Sequence, residues 1–330
     1  MPKTCFISRL GGAGDVLHAA HLPKLIKEHY GVDRIDFETN YHGMHILTNN
    51  PFIDNLTMID VNKMTYNRMI KKIEWARQTY DFVFDFSNTI EKEYCVNEND
   101  WRYYTSDNWR REKLGKKSYY DVMTDAAGLP ESYYGTRGQL YFFDDEHTRA
   151  AEWIEKKKSE VDSDFMILIN LSGSTLHKKF VQAESVTKTI LAKYPDSVIV
   201  LTGDDYTKSQ VFENERVLSK VGKWNFRTAS LMTKYFDLNI SLESGIALIA
   251  HSWDAPCLQL LTAASPENHC KYAKNSWWIQ SSVPCSPCHR NPREYFGCPV
   301  YEKHPECVWF DEQKIMEKVS EIYEHRAVSA

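Results

Sequence analysis

Apolar strand-like runs alternating with helix-period segments place this 330-residue chain in the α/β class, as two successive parallel-sheet halves. Three observations predict this. Short apolar runs recur at 5–7, 81–86, 165–170 and 197–201, each next to turn residues. Segments with helical apolar spacing separate them. Turns rich in Gly and Ser follow strands at 11–15, 171–175 and 244–245, and the whole pattern restarts near 161–164. The expected division is therefore 1–160, 161–310, and a final helix in 311–330 that packs back on the first domain.

Composition bounds the answer. Hydrophobic residues make up 42% and charged residues 26%, as in a soluble globular chain. The net charge of -5 gives no global basic field for nucleic acid, although a local patch remains open. No run approaches the roughly 18 apolar residues needed to cross a bilayer. The N-terminus runs into a strand without a signal-peptide pattern, which predicts a cytoplasmic location. Eight cysteines in this length argue against a disulfide scaffold. Cys5, Cys95, Cys257 and Cys270 are scattered, whereas Cys285, Cys288, Cys298 and Cys307 crowd one Pro-rich loop with His289 and His304.

In the first half, the run 5–7 predicts a buried strand, and 16–30 predicts a helix ended by Gly31. Between them, Gly11, Gly12 and Gly14 remove the Cβ barrier to a ligand, and the helix start favours negative charge. Asp15 has two readings, helix cap or proton acceptor from a hydroxyl substrate. The glycine spacing falls short of the full dinucleotide fingerprint. Strands follow at 34–38, 55–60 and 81–86, with helices at 41–47 and 65–79, the latter with Met69, Ile73 and Ala76 on one face. Such sheets bind ligands beyond the strands' carboxyl ends, which puts 11–15 and Ser87-Asn88 on one rim.

The segment 101–120 interleaves Trp101, Tyr103, Tyr104, Trp109, Tyr119 and Tyr120 with Arg102, Arg110, Arg111, Lys113, Lys116 and Lys117. Aromatic faces stack on sugars or bases, and the cations grip phosphates or carboxylates. A solvated helix face with packing residues is the alternative. A strand at 138–142 and an acid-led helix at 144–160 follow.

In the second half, the buried strand 165–170 leads into Leu171-Ser172-Gly173-Ser174-Thr175 and then His177-Lys178-Lys179. Small hydroxyls with a lysine close behind suit a phosphate site, or equally a polar loop. Helix 183–194, strand 197–201 with Thr202-Gly203-Asp204-Asp205, and strand 237–241 come next. Leu242-Glu243-Ser244-Gly245 opens an apolar helix at 246–253, so that backbone N–H groups again stand at a turn. Glu243 either holds sugar hydroxyls or caps the helix. Strand 256–261 closes the sheet. The two halves predict a nucleotide cleft between two Rossmann-like domains facing each other.

Gly14-Asp15-Val16-Leu17-His18 followed by Leu22-Pro23 resembles the opening of glycosyltransferase family 9, the lipopolysaccharide heptosyltransferases. Asn50-Pro51-Phe52-Ile53-Asp54, Tyr80-Asp81-Phe82-Val83-Phe84-Asp85, Ser172 to Lys178, Leu242 to Gly245 running to His251, 262–267, and Pro284-Cys285-Ser286-Pro287-Cys288 are similar to that family's strings in the same order. Glu243 stands where the family usually has Asp.

The resemblance implies a GT-B fold and an inverting transfer of a sugar from a nucleotide-diphosphate sugar, ADP-heptose-like, with no metal or other cofactor required for catalysis. By the same resemblance Asp15 is the general base. Lys178, Ser172, Gly173, Ser174 and Thr175 steady the leaving diphosphate, joined by Ser244, Gly245 and the N–H of Ile246. Glu243 binds the donor sugar, and Thr202 and Gly203 border the nucleoside. The expected acceptor residues are Gly12, Gly14, His18, Arg102, Trp109 and Arg110. The acceptor is a glycan or a lipid-linked saccharide. A phage-type alternative is a hydroxymethyl base in DNA, gripped by the 101–120 segment. A non-catalytic nucleotide-sugar binding protein is the alternative of another class. Cys285, Cys288, Cys298 and Cys307 fit a structural zinc, against free thiols or a disulfide.

Overall fold

The computed structural model describes residues 2–93, 100–290, 298, 300 and 305–329. The chain forms two compact units. One comprises Met1–Glu93 and Lys117–Phe143, the other Tyr94–Lys116 and Asp144–Ala330. The break thus falls before the 144–160 helix rather than after it, and a piece of the first half belongs to the second unit.

The first unit holds a four-stranded parallel sheet, order β3-β2-β1-β4, of β1 (Thr4–Arg9), β2 (Arg34–Thr39), β3 (Asn55–Met58) and β4 (Phe82–Asp85). Its helices are α1 (Ala13–Ala19), α2 (Leu22–Tyr30), α3 (Tyr41–Leu47), α4 (Tyr66–Thr79) and α5 (Thr89–Glu93), and later α7 (Tyr119–Ala126). The helix expected over 16–30 is two helices. Pro23 sits in the first turn of α2, where it has no N–H to extend the ladder and its ring excludes the carbonyl four residues back. Gly31, at φ 64°, ends α2 as expected. The strand expected at 138–142 is absent. Its alternating burial is real, with Gly138, Leu140 and Phe142 buried, but the segment lies against α1, where Gly138 meets the carbonyl of Leu17 too closely for any Cβ.

The second unit holds a six-stranded parallel sheet, order β10-β9-β8-β5-β6-β7. The strands are β5 (Phe165–Asn170), β6 (Ser197–Thr202), β7 (Val217–Ser219), β8 (Leu238–Leu242), β9 (Cys257–Leu261) and β10 (Ser276–Gln280). Its helices are α6 (Asp107–Leu114), α8 (Asp144–Val161), α9 (Ala183–Lys193), α10 (Phe226–Met232), α11 (Gly245–Ser252), α12 (Pro266–His269) and α13 (Glu312–Ser329). β5 and β6 are buried at every residue, because a central parallel strand is covered on both faces. The final helix departs from expectation. Ile315, Val319 and Ile322 of α13 join the core of the second unit with Phe165, Leu201 and Leu258. Among the described residues, no helix is long and apolar enough to cross a membrane.

Candidate active site

β1 ends at Arg9, and the chain turns through Gly11 at φ 140°, a backbone conformation that side chains other than glycine's rarely adopt. Gly12 caps α1, and Asp15 sits at its third position. Asp15 Oδ2 accepts the Gly12 N–H at 2.8 Å, so the capping role is real. The carboxylate still leaves 32% of its side chain exposed. Arg9 is fully buried beneath it. Its Nε donates to the Asp15 carbonyl at 3.2 Å and its Nη1 to the Phe86 carbonyl at 2.9 Å. Its Nη2 lies 3.2 Å from both oxygens of Glu91 and 3.7 Å from Asp15 Oδ1. Sequence reasoning passed over Arg9 and Glu91. Arg9 abuts the loop it serves, whereas Glu91 lies 82 residues from Arg9 and only the fold joins them.

His18 does not present itself to an acceptor. It is buried, with its ring edge-on to Tyr119 and Tyr120 at centroid distances of 5.4 and 4.9 Å. The other acceptor residues divide between the units, with Gly12 and Gly14 in the first and Arg102, Trp109 and Arg110 in the second. Arg110 is a fully buried strut rather than a phosphate clamp. It donates to the carbonyls of Cys288 at 2.7 Å and Tyr103 at 3.2 Å, to that of Thr105, and to Asp107. Arg102 pairs with Asp100. The rings of Trp109 and Trp101 meet at a tilt of 57° with centroids 5.6 Å apart; Trp101 is 70% exposed and Tyr104 72%.

The expected donor residues gather on one rim of the second sheet, beyond the carboxyl ends of the neighbouring strands β8, β5 and β6. Asn170, ending β5, organises this rim. Its amide donates to the Ser172 carbonyl at 2.7 Å, to Ser241 Oγ at 3.0 Å and to Ser244 Oγ at 3.2 Å. Ser244 in turn caps α11, accepting the Ala247 N–H. Gly173 packs against Lys178 so closely that a Cβ would overlap it, and the tight turn brings Lys178 back under Ser172 to Thr175. A Cβ on Gly203 would likewise strike Thr207 and come within 3.6 Å of Ser172 Oγ. His177 is buried against Thr175 Oγ1 at 3.0 Å, and burial with the nearby Lys178 charge lowers its pKa to about 3, which keeps the ring neutral.

Glu243 is buried. Its Oε1 accepts the N–H groups of Thr262 at 2.5 Å and Ala264 at 2.9 Å, so this oxygen straps the turn after β9.

Cys285, Cys288, Cys298 and Cys307 line one small cavity of ≈ 20 Å³, together with His177 and Arg290. Burial, reinforced by neighbouring thiols, raises Cys285 and Cys307 and pushes Cys288 up to about 12. All four are free thiols, and no disulfide joins them. Four sulfurs are the donor set of a tetrahedral zinc or iron site. Among the described residues, however, no three His, Cys, Asp or Glu side chains stand close enough to share an ion. His304 lies outside the described residues.

No family model matches the sequence, and no curated protein matches it. Solved structures do match. A glycosyltransferase of family 9 from Veillonella parvula superposes with a TM-score of 0.71 over 97% of both chains at 13% identity. The ADP-heptose lipopolysaccharide heptosyltransferase II of E. coli gives 0.64 over 98% of this chain and 99% of that one at 12% identity. TibC of E. coli, described as an iron-containing dodecameric glycosyltransferase, gives 0.62 over 98% of this chain and 77% of that one at 11% identity. The fold is the GT-B fold of these glycosyltransferases.

Proposed function

We propose that the chain is a glycosyltransferase that moves a sugar from a nucleotide-diphosphate sugar, ADP-heptose-like, to an acceptor hydroxyl. The observation that carries this reading is the rim of the second sheet. There a glycine-tight loop, a lysine and a hydroxyl-capped helix start converge beyond three parallel strands, in a fold whose solved members include one in complex with ADP-D-beta-D-heptose.

In the proposed reaction Asp15 takes the proton of the acceptor hydroxyl as its oxygen bonds to the anomeric carbon. The bond from that carbon to the diphosphate breaks on the opposite face, which inverts the configuration. Lys178, Ser172, Ser174, Thr175 and the N–H groups opening α11 take up the charge of the departing diphosphate. Lys178 and the helix start supply this charge neutralisation without a metal in the chemical step.

The exposed Trp101 and Tyr104 favour an acceptor with a ring face, a sugar or a flipped base. The loss of Arg110 and Arg102 to internal pairs weakens the DNA version of that reading.

The four cysteines act separately. They are assigned no metal, because among the described residues no three donors stand close enough to share an ion.

Thermal unfolding against ADP-, UDP- and GDP-sugars tests the main reading. A donor at 100 times its Kd stabilises the fold by about 2.7 kcal/mol. Stabilisation by one nucleotide class is expected. No shift with any of them overturns the reading.

A further inference from the structure

Arg9 is among the largest fully buried side chains of the chain, and it carries a charge. Burying a guanidinium is costly unless its charge and all its donors are met. Nε and Nη1 are spent on carbonyls, those of Asp15 and Phe86. Nη2 therefore decides which carboxylate neutralises the cation. It sits 3.2 Å from both oxygens of Glu91, within hydrogen-bond reach, and 3.7 Å from Asp15 Oδ1, beyond it. Asp15 Oδ2 has the Gly12 N–H, and among the described residues Oδ1 accepts no hydrogen bond. A Cβ on Gly11 would lie 3.0 Å from Asp15 Oδ2 and 3.2 Å from Glu91 Oε1, so the two carboxylates flank one backbone position.

We propose that Arg9 and Glu91 are positioning residues for Asp15. Arg9 fixes the Asp15 backbone, and Glu91 occupies the guanidinium, so that Asp15 Oδ1 keeps its lone pairs for a substrate hydroxyl. The inference rests on the reading of Asp15 as the base, yet it concerns a property of the free protein. Without Glu91 the buried cation has Asp15 as its remaining counter-ion. Asp15 then becomes a contact ion pair and a weaker base.

On α1, His18 packs on Tyr119 and Tyr120 of α7. Asp121 of α7 accepts from the Gly135 N–H, and Asp85 of β4 from the Ser87 N–H. On α3, packed on α1, His45 meets the ring of Tyr41, and His42 is exposed. Among the described residues, Arg9 is the cation within ion-pair distance of either carboxylate. Burial and the Asp15 charge raise the Glu91 carboxyl against the pull of Arg9, as expected of two acids that share one cation.

Carboxyl-13C NMR titration of the full chain tests the proposal without any substrate. Asp15 is assigned by its loss in Asp15→Asn, and Glu91 by its loss in Glu91→Gln. In Glu91→Gln the Asp15 midpoint is expected to fall by about 1 pH unit or more. In Arg9→Met/Glu91→Gln, with both charges gone, it is expected to return upward. An unchanged midpoint in Glu91→Gln, or an equal fall in the double variant, overturns the proposal. If Glu91→Gln does not fold, the wild type decides. Asp15 and Glu91 titrating in two coupled steps supports the proposal, and independent single steps overturn it. Failure of nucleotide binding, read by thermal shift, would remove the enzymatic reading and leave this titration result standing.

Discussion

The loop after β1 and the rim beyond β5, β6 and β8 are the same device in two chemistries. Each is a glycine-bearing turn from a buried parallel strand into a helix start. In the first unit the helix start is filled by the chain's own carboxylate, Asp15, over a buried Arg9. In the second unit a neutral network of Asn170, Ser241 and Ser244 stands in that place, with the cation Lys178 nearby in the same loop array. A helix start already holding a carboxylate is poor at binding another anion. One capped by a hydroxyl keeps its positive end for a phosphate. On the proposed reading, the difference gives proton removal to the first loop and diphosphate binding to the second rim.

The sharpest way to break this division is Asp15→Asn, which keeps the shape of the cap and removes the base. Turnover with a competent acceptor should fall by 10²- to 10⁴-fold, the usual range for loss of a general base, while donor stabilisation in thermal unfolding persists. Full activity in this variant would refute the role of Asp15.

The second prediction concerns the segment 100–116. Arg110→Met should destabilise the second unit by about 3 kcal/mol in urea unfolding, because it strands the carbonyls of Cys288 and Thr105, while that of Tyr103 keeps the Arg290 Nε. A change under about 0.5 kcal/mol would return Arg110 to the surface role that its sequence context suggests.

The smallest effect is one of pH, and both units share it, since His177 of the second is lowered as far as His21 of the first. His21 of the first unit is buried, hydrogen-bonded to Thr124 Oγ1 at 3.1 Å, and burial lowers its pKa to about 3 from an ordinary 6.5. Below pH 6.5 the unfolded chain takes up a proton that the folded chain refuses, so stability falls as pH falls from 6.5 toward 3. At pH 5 the loss is about 2 kcal/mol. His21→Gln should remove that share of the slope and leave the share of His177, and a slope identical to the wild type would contradict the assignment.

Much of this was legible in the residues. The central strands read as apolar runs because a parallel sheet covers both faces, as in Phe165–Asn170 and Ser197–Thr202. β7 and β10 escaped notice because edge strands that are short and half-buried carry no such run. The turns after β5, β6 and β8 were visible as glycines and hydroxyls beside strand ends. What joins them was not, since Asn170 reads as a strand's last polar residue until β8 lies beside β5. The segment 101–116 misled for the same reason. Arg110 looks solvated among its sequence neighbours, and the carbonyl it holds belongs to Cys288, 178 residues away. Pro23 did announce a break, but the apolar period on both sides of it ran on and hid the division of α1 from α2.

The most direct test of the division of labour is calorimetric titration of ADP into the wild type, Asp15→Asn and Lys178→Ala side by side. The account predicts wild-type affinity in Asp15→Asn and a loss of about tenfold or more in Lys178→Ala, as expected when a charge-assisted bond to phosphate is removed. Equal affinity in all three, or a loss confined to Asp15→Asn, would contradict it.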